Sequence, residues 1–315
     1  AVLAAAGWYS MWTPGRSYRG PLPPLTVEEE ALARRLARHV ERLAGEIGER
    51  NLWKFRELDA AASYIETQFG DLDLPVASQR FDVDGRAVRN VEAEIRGASR
   101  PDEIVVVGAH YDSVVGCPGA DDNATGVAGL IEVARAMAVR PPARTVRFVG
   151  FVNEEPPFFQ TPDMGSLRYA KRSRERGDRI MAMISVESVG YYSDAANSQR
   201  YPFPFNLFYP ATGDFIAFVA NVRSRALLHQ TMRSFRRHAR LPSEGAAAPA
   251  GIEGIGWSDH WAFWQHGYPG VMITDTALFR YPHYHTALDT PDRIDYPRMA
   301  RLVAGLARVV DDLAR

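Results

Sequence analysis

Cysteine is nearly absent from this chain: Cys117 is the only one in 315 residues. No intramolecular disulfide can form, and the redox compartment is left open. No activating His/Asn set is evident around Cys117, so it reads as a small structural residue rather than a nucleophile. A charge surplus is missing too. The 37 Lys and Arg against 38 Asp and Glu leave a net charge of −1. That excludes a global field drawing in nucleic acid or an anionic membrane. The apolar stretch Ala1 to Trp12 falls short of the ~20 residues that span a bilayer. There is no internal repeat, and no composition break strong enough for a domain boundary. What is present is a hydrophobic content of 46%, ordinary for a chain able to bury a core. The length suits one large α/β domain or two small ones.

The sequence does not open on Met, and AVLAAAGWYSMW reads as the tail of a signal anchor or h-region. The alternative is a segment packed on the domain. An extracytoplasmic location (periplasmic, secreted or membrane-anchored) is the expectation, with a candidate N-terminal anchor and the cytoplasm not excluded. TPGRSYRGPLPP is rich in Pro and Gly and reads as an extended tether. Residues 1–25 are therefore set apart from a domain at 26–315.

Thr26-x-x-Glu29 is a capping box, and Leu32, Leu36, Val40 and Leu43 follow at helical spacing, predicting a helix over 27–47. ELDAAASYIETQF is a second helix. Residues 76–83 and 87–96 alternate as strands around an Asp84-Gly85 turn. Four apolar runs then read as buried strands: 103–109, 144–152, 181–186 and 269–274. Helices are expected at 124–138, 164–175, 214–238 and 299–313, with a short one opened by Ser258-Asp259-His260. The basic end of 214–238 suits a helix C-terminus and reads as a solvated face. Residues 191–210 form an aromatic and Pro-rich excursion with a short strand near 206–209, a candidate substrate rim. Residues 243–256 read as loop. The expected fold is a single α/β domain with a mixed, mainly parallel central sheet flanked by helices.

Three of the buried strands end in chemistry. His110 and Asp112 follow the first, with Asp121-Asp122 in the next loop. Asn153-Glu154-Glu155 follows the second, and Glu187 the third. His285 comes after the last apolar strand. Ligands and metals collect at the carboxyl ends of strands in open α/β sheets. A buried carboxylate there must be paired or ligating, because burying it alone is costly.

The blocks VVVGAHYDS, PGADDNATGVAGLIEVAR, VGFVNEE, SDHWAFWQHGYPGVMITD and YHTALDT resemble a family. It is the zinc exopeptidases of the bacterial leucyl aminopeptidase, glutamate carboxypeptidase and glutaminyl cyclase type. The resemblance runs from about residue 30 to the C-terminus. It implies a zinc-exopeptidase (phosphorylase/hydrolase-like) fold, two Zn²⁺ ions and a peptide substrate. His110 and Glu187 would bind one zinc, Glu155 and His285 the other, and Asp121 would bridge them. Glu154 would be the general base, and Asp112 would orient His110. The Asp121-Asp122 peptide would be cis. Asp122 and Asp259 would support the site, and His260 and His283 are not taken as ligands. Zinc takes imidazole and carboxylate ligands and keeps a position open when catalytic. Tyr284 is a candidate donor to an oxyanion. One departure is Glu187, where many aminopeptidases of the family have Asp. The longer side chain alters the geometry of one site, so one zinc is more secure than two. The expected activity is hydrolysis of N-terminal residues. Carboxypeptidase action, glutaminyl cyclisation with one zinc, and a non-catalytic receptor-like role stay open. Side-chain preference and oligomeric state are not readable.

Overall fold

The computed structural model describes residues 11–315, so all but the last two residues of the N-terminal apolar segment lie outside the described residues. Helix α1 (Val27–Val40) starts at the expected capping box: Thr26 accepts from the Glu29 N–H, and the Glu29 carboxylate accepts from the Thr26 N–H. It runs on as a wider π turn to Ile47. Then follow α2 (Phe55–Gly70), the hairpin of β1 (Val76–Val83) and β2 (Arg86–Ile95), β3 (Arg100–His110), α3 (Gly126–Met137), β4 (Arg144–Phe151), α4 (Gly165–Glu175) and β5 (Arg179–Glu187). The second half adds β6 (Ile216–Asn221), α5 (Arg225–His238), β7 (Ser243–Ala248), α6 (His260–Gln265), β8 (Gly270–Thr274) and α7 (Tyr296–Ala314).

Among the described residues the eight strands form one mixed sheet in the order β1-β2-β4-β3-β5-β8-β6-β7. β4, β3, β5 and β8 run parallel at its centre, as does the β6-β7 pair; β1-β2, β2-β4 and β6-β8 are antiparallel. Strand alternation divides the core. Val105, Val107 and Ala109 of β3 face a cluster with α1, α2, α3, α5 and α7. Ile104 and Val106 face a smaller one built on α4 and α6. The central strands are covered on both faces, which is why they read as continuous apolar runs.

Three expectations need correction. Residues 214–221 are not the start of a helix; Ile216–Asn221 is a strand, and the helix begins only at Arg225. Residues 243–248 are not loop but the edge strand β7, paired in parallel with β6. Its Ala/Gly composition carries no strand preference, so the pairing with β6 decides its conformation. Near 206–209 there is no strand, only a 3₁₀ turn at Phe205–Leu207. Residues 13–24 form neither helix nor strand but are laid on the domain. Arg236 donates to the carbonyls of Thr13, Pro14 and Gly15, and Arg301 to that of Pro23. No helix among the described residues is long and apolar enough to cross a membrane.

Candidate metal centre

β3, β4 and β5 deliver their chemistry at their carboxyl ends. His110 is the last residue of β3, and Glu187 the last of β5. Glu154 and Glu155 follow β4 by three and four residues. Asn153, Ser188 and His285 have φ of 59°, 45° and 56°. Such left-handed backbone is uncommon outside glycine and turns the chain sharply just where a functional side chain must face inward.

The buried side chains converge on two groups that share one residue. His110, Asp122 and Glu187 form the first, and Asp122, Glu155 and His285 the second; donor atoms within each lie inside 4.8 Å of one another. Nε2 of His110 is 3.1 Å from Asp122 Oδ1 and 3.3 Å from Glu187 Oε2. Nε2 of His285 is 3.1 Å from Asp122 Oδ2 and 3.3 Å from Glu155 Oε2. Asp122 therefore turns one oxygen toward each group.

This overturns the expectation for the aspartate pair. Asp121 is outside both groups. Its Oδ1 accepts from the Gly190 N–H at 2.8 Å. Burial, reinforced by the carboxylates of Asp275 and Asp289, raises its carboxyl well above the usual range. The cis peptide is also one residue later, Asp122-Asn123 rather than Asp121-Asp122. Neighbouring residues on one backbone point apart, and nothing in two identical side chains tells which faces the cluster. The surroundings decide it. Asp289 accepts from the main-chain N–H of both Asp121 (2.8 Å) and Asp122 (3.2 Å). Asn123 donates to the Val186 carbonyl and accepts from the Ser188 N–H, fastening the loop to the end of β5. At Gly119, with φ 62°, a Cβ would stand 2.4 Å from the Asp122 carbonyl oxygen, so only glycine allows the loop its close approach. Arg50, fully buried, donates to the carbonyls of Pro118 and Gly119.

Asp112 does more than stand behind His110. Its Oδ1 is 3.6 Å from His110 Nδ1, beyond a hydrogen bond. The two oxygens accept instead from the N–H groups of Glu154 (3.1 Å) and Glu155 (3.0 Å). One carboxylate thus fixes the turn that aims both glutamates. Glu187 accepts from Ser258 Oγ at 2.7 Å and Ser188 Oγ at 3.1 Å. Asp259 is buried beside the cluster, where burial first and then neighbouring carboxylates push it up to about 7. His260 is buried and bonded to the Ile255 carbonyl at 2.8 Å, away from both groups. The ring of Tyr284 stacks on His285 at 3.8 Å. Arg50, Asn123 and Asp289 were missed by sequence reasoning. The last two lie inside blocks quoted above and were passed over because neither follows a strand directly.

The donor set fits dications. His110 Nε2 can carry one proton, yet Asp122, Glu187 and, at 3.9 Å, Glu154 all face it. Asp122 Oδ1 and Glu155 Oε1 are buried without a hydrogen bond. Burial raises Glu155 to about 7, helped by Asp122. Burial would lower His285, but Asp122 and Glu155 raise it to about 10. Burial opposes the charge of Asp122 as well, yet both histidines hold it below the usual range. So much negative charge out of water calls for cations at its centre. The set is imidazole plus carboxylate without thiolate, which suits zinc.

The sequence profile described as Peptidase family M28 matches residues 90–310. The chain belongs to this family. The protein YfbL of Escherichia coli strain K12 is 39% identical over 258 residues, covering 79% of this chain and 78% of its own. A probable aminopeptidase of Saccharomyces cerevisiae, YDR415C, is 24% identical over 225 residues, 67% of this chain and 53% of its own. The chain thus spans about half of that yeast relative. Among solved structures, the zinc aminopeptidase BSAP from Bacillus subtilis superimposes with TM-score 0.72 at 15% identity, over 90% of this chain and 95% of its own. A glutaminyl cyclase from Bacteroides thetaiotaomicron gives 0.67 at 16% identity, over 88% and 97%. These likenesses bear out the expected α/β fold.

Proposed function

We propose that this protein is an aminopeptidase that uses two zinc ions. The observation that carries the reading is the pair of donor groups joined through Asp122, with Glu154 beside them but outside both. His110 and Glu187 would hold one ion, Glu155 and His285 the other, and Asp122 both. Zinc held this way polarises a scissile carbonyl and lowers the pKa of water. Glu154, aimed by Asp112 through its N–H, would take a proton from water and hand it to the leaving amine. Tyr284, stacked on His285 and lining the cavity beside Glu187, would donate its hydroxyl to a developing oxyanion. Burial, aided by the surrounding carboxylates, holds that phenol well above its usual range, so it keeps its proton.

The field around the centre supports the amino end of a peptide over the carboxyl end. The cavity beside Glu187 and Tyr284 has three charged residues in its wall, Glu187, Glu244 and Glu253, and all are acidic. An α-ammonium group is drawn to such a wall; an α-carboxylate is repelled. Glutaminyl cyclisation with one zinc would leave one of the two donor groups unused. Metal analysis of the purified protein, with free and N-blocked aminoacyl-anilides and dipeptides, tests the reading. About two zinc per chain and hydrolysis of free N-termini only are expected. One zinc, or hydrolysis only of N-blocked substrates, would overturn it.

A further inference from the structure

Next to the metal centre one row of residues crosses four strands of the sheet. Glu187 of β5 pairs with Thr274 of β8, Thr274 with Ala217 of β6, and Ala217 with Glu244 of β7. All four line one cavity of about 110 Å³. With strands ~4.8 Å apart, the Cα atoms of Glu187 and Glu244 stand roughly 14 Å from each other. The floor between them is Thr274 and Ala217, with Val219 and Met272 one pair further along the same face. Tyr201, Phe205 and Tyr209 also line the cavity. The cavity is therefore an apolar trough with a proposed metal ligand at one end and a second carboxylate at the other.

Glu244 is only partly exposed and, among the described residues, makes no hydrogen bond or ion pair. Two arginines act on it through space without pairing with it: Arg236, whose N–H groups go to the carbonyls of residues 13–15 and to Ser243, and the exposed Arg19. The hydroxyls of Tyr201 and Tyr209 donate to the Pro210 and Gly245 carbonyls. A carboxylate left unpaired in an aromatic-lined pocket is a cost that a cationic ligand would remove. Aromatic side chains in the lining also favour a cation.

We propose that this trough selects substrates whose N-terminal residue is lysine or arginine, with the aliphatic stem along Ala217 and Val219 and the cationic head at Glu244. Lysine and arginine suit this shape because their stems lie on apolar surface while the head reaches a polar end. Leucine would cover the near half of the floor and leave Glu244 without a counter-ion. The inference rests on the aminopeptidase reading and names its substrate class.

The test uses the full chain loaded with zinc and a panel of Arg-, Lys-, Leu-, norleucine- and Phe-anilides. Arg and Lys substrates should exceed norleucine in kcat/KM by about ten-fold or more, since a site built for a polar group rejects the analogue lacking it. E244Q should cut the Arg-to-norleucine ratio by at least ten-fold, chiefly through KM. E244D, which keeps the charge, should restore part of it. Calorimetric binding of L-arginine and L-norleucine should show the same order without turnover. A wild-type preference for Leu or Phe would overturn the proposal while leaving the aminopeptidase reading intact, as would E244Q slowing every substrate equally. No turnover of any anilide would overturn both.

Discussion

The loop that carries Asp122 and the wall that carries Glu244 border the same site, but different forces hold them. Around Asp122 a polar network grips the main chain and leaves carboxylate oxygens free at the centre. Asp289 grips two main-chain N–H groups, Asn123 ties the loop to β5, and Arg50 fills the carbonyls behind it. The wall is held by packing of Phe205, Ile255 and Ala246, with Phe203, Leu207 and Phe208 exposed nearby. A polar network fails at single atoms, because each lost partner leaves a buried group unsatisfied. Apolar packing fails gradually with lost area. Substitutions in the loop should therefore decide whether metal is held, and substitutions in the wall which substrate is preferred.

The sharpest break is Asp122→Ala against Asp121→Asn. The first should strip metal and bring hydrolysis to background. The second should keep most metal. Elemental analysis decides, and an Asp122→Ala protein with two zinc per chain would refute the shared-ligand role. Glu154→Gln should lower kcat by roughly 10²–10⁴-fold with metal content unchanged. Loss of metal in that variant would mean that Glu154 is a ligand. Asp289→Ala removes no ligand, yet it should weaken zinc binding by about 10–100-fold, as groups supporting ligands do. On the other side of the comparison, Phe205→Ala should leave zinc content untouched and shift KM for large N-terminal residues by about ten-fold. Equal metal loss in the last two variants would erase the distinction between loop and wall.

The smallest effect concerns pH in protein stripped of metal. Burial raises Glu155 and Asp259 to about 7. Their protonated forms are favoured by folding, so stability falls as pH rises from their unfolded values near 4 toward 7. His285, raised to about 10, adds a loss above its unfolded value near 6.5. Zinc removes these penalties, so the melting shift it causes should grow between pH 4.5 and 7. A shift flat across that range would contradict the charge balance proposed for the cluster.

The central strands were legible because burial on both faces leaves a continuous apolar run, and their ends pointed to His110, Glu154, Glu155 and Glu187. β7 was not. Ser243–Ala248 is small and featureless, and only the partner strand β6 makes it a strand. β6 itself was absorbed into the helix that follows, since Ile216 to Val222 is apolar in either pattern. Losing these two strands also hid Glu244, whose meaning depends on its place in a row. In the loop, the presence of a bridging aspartate was readable, but its register was not. Asp289 sets that register from 167 residues away, a distance over which local pattern carries no information.

The strap at residues 13–24 has a mechanical consequence. Arg236 and the Ser243 N–H hold it against the start of β7, through the carbonyls of 13–15 and Ser17 Oγ. A pull along this strap would load α5 first, through His229 and Arg236, and then Ser243 at the start of β7, the strand on which Glu244 sits. Strain in residues 12–17 would thus reach the cavity by way of a helix and an edge strand, on the side of the sheet away from β3 and β4.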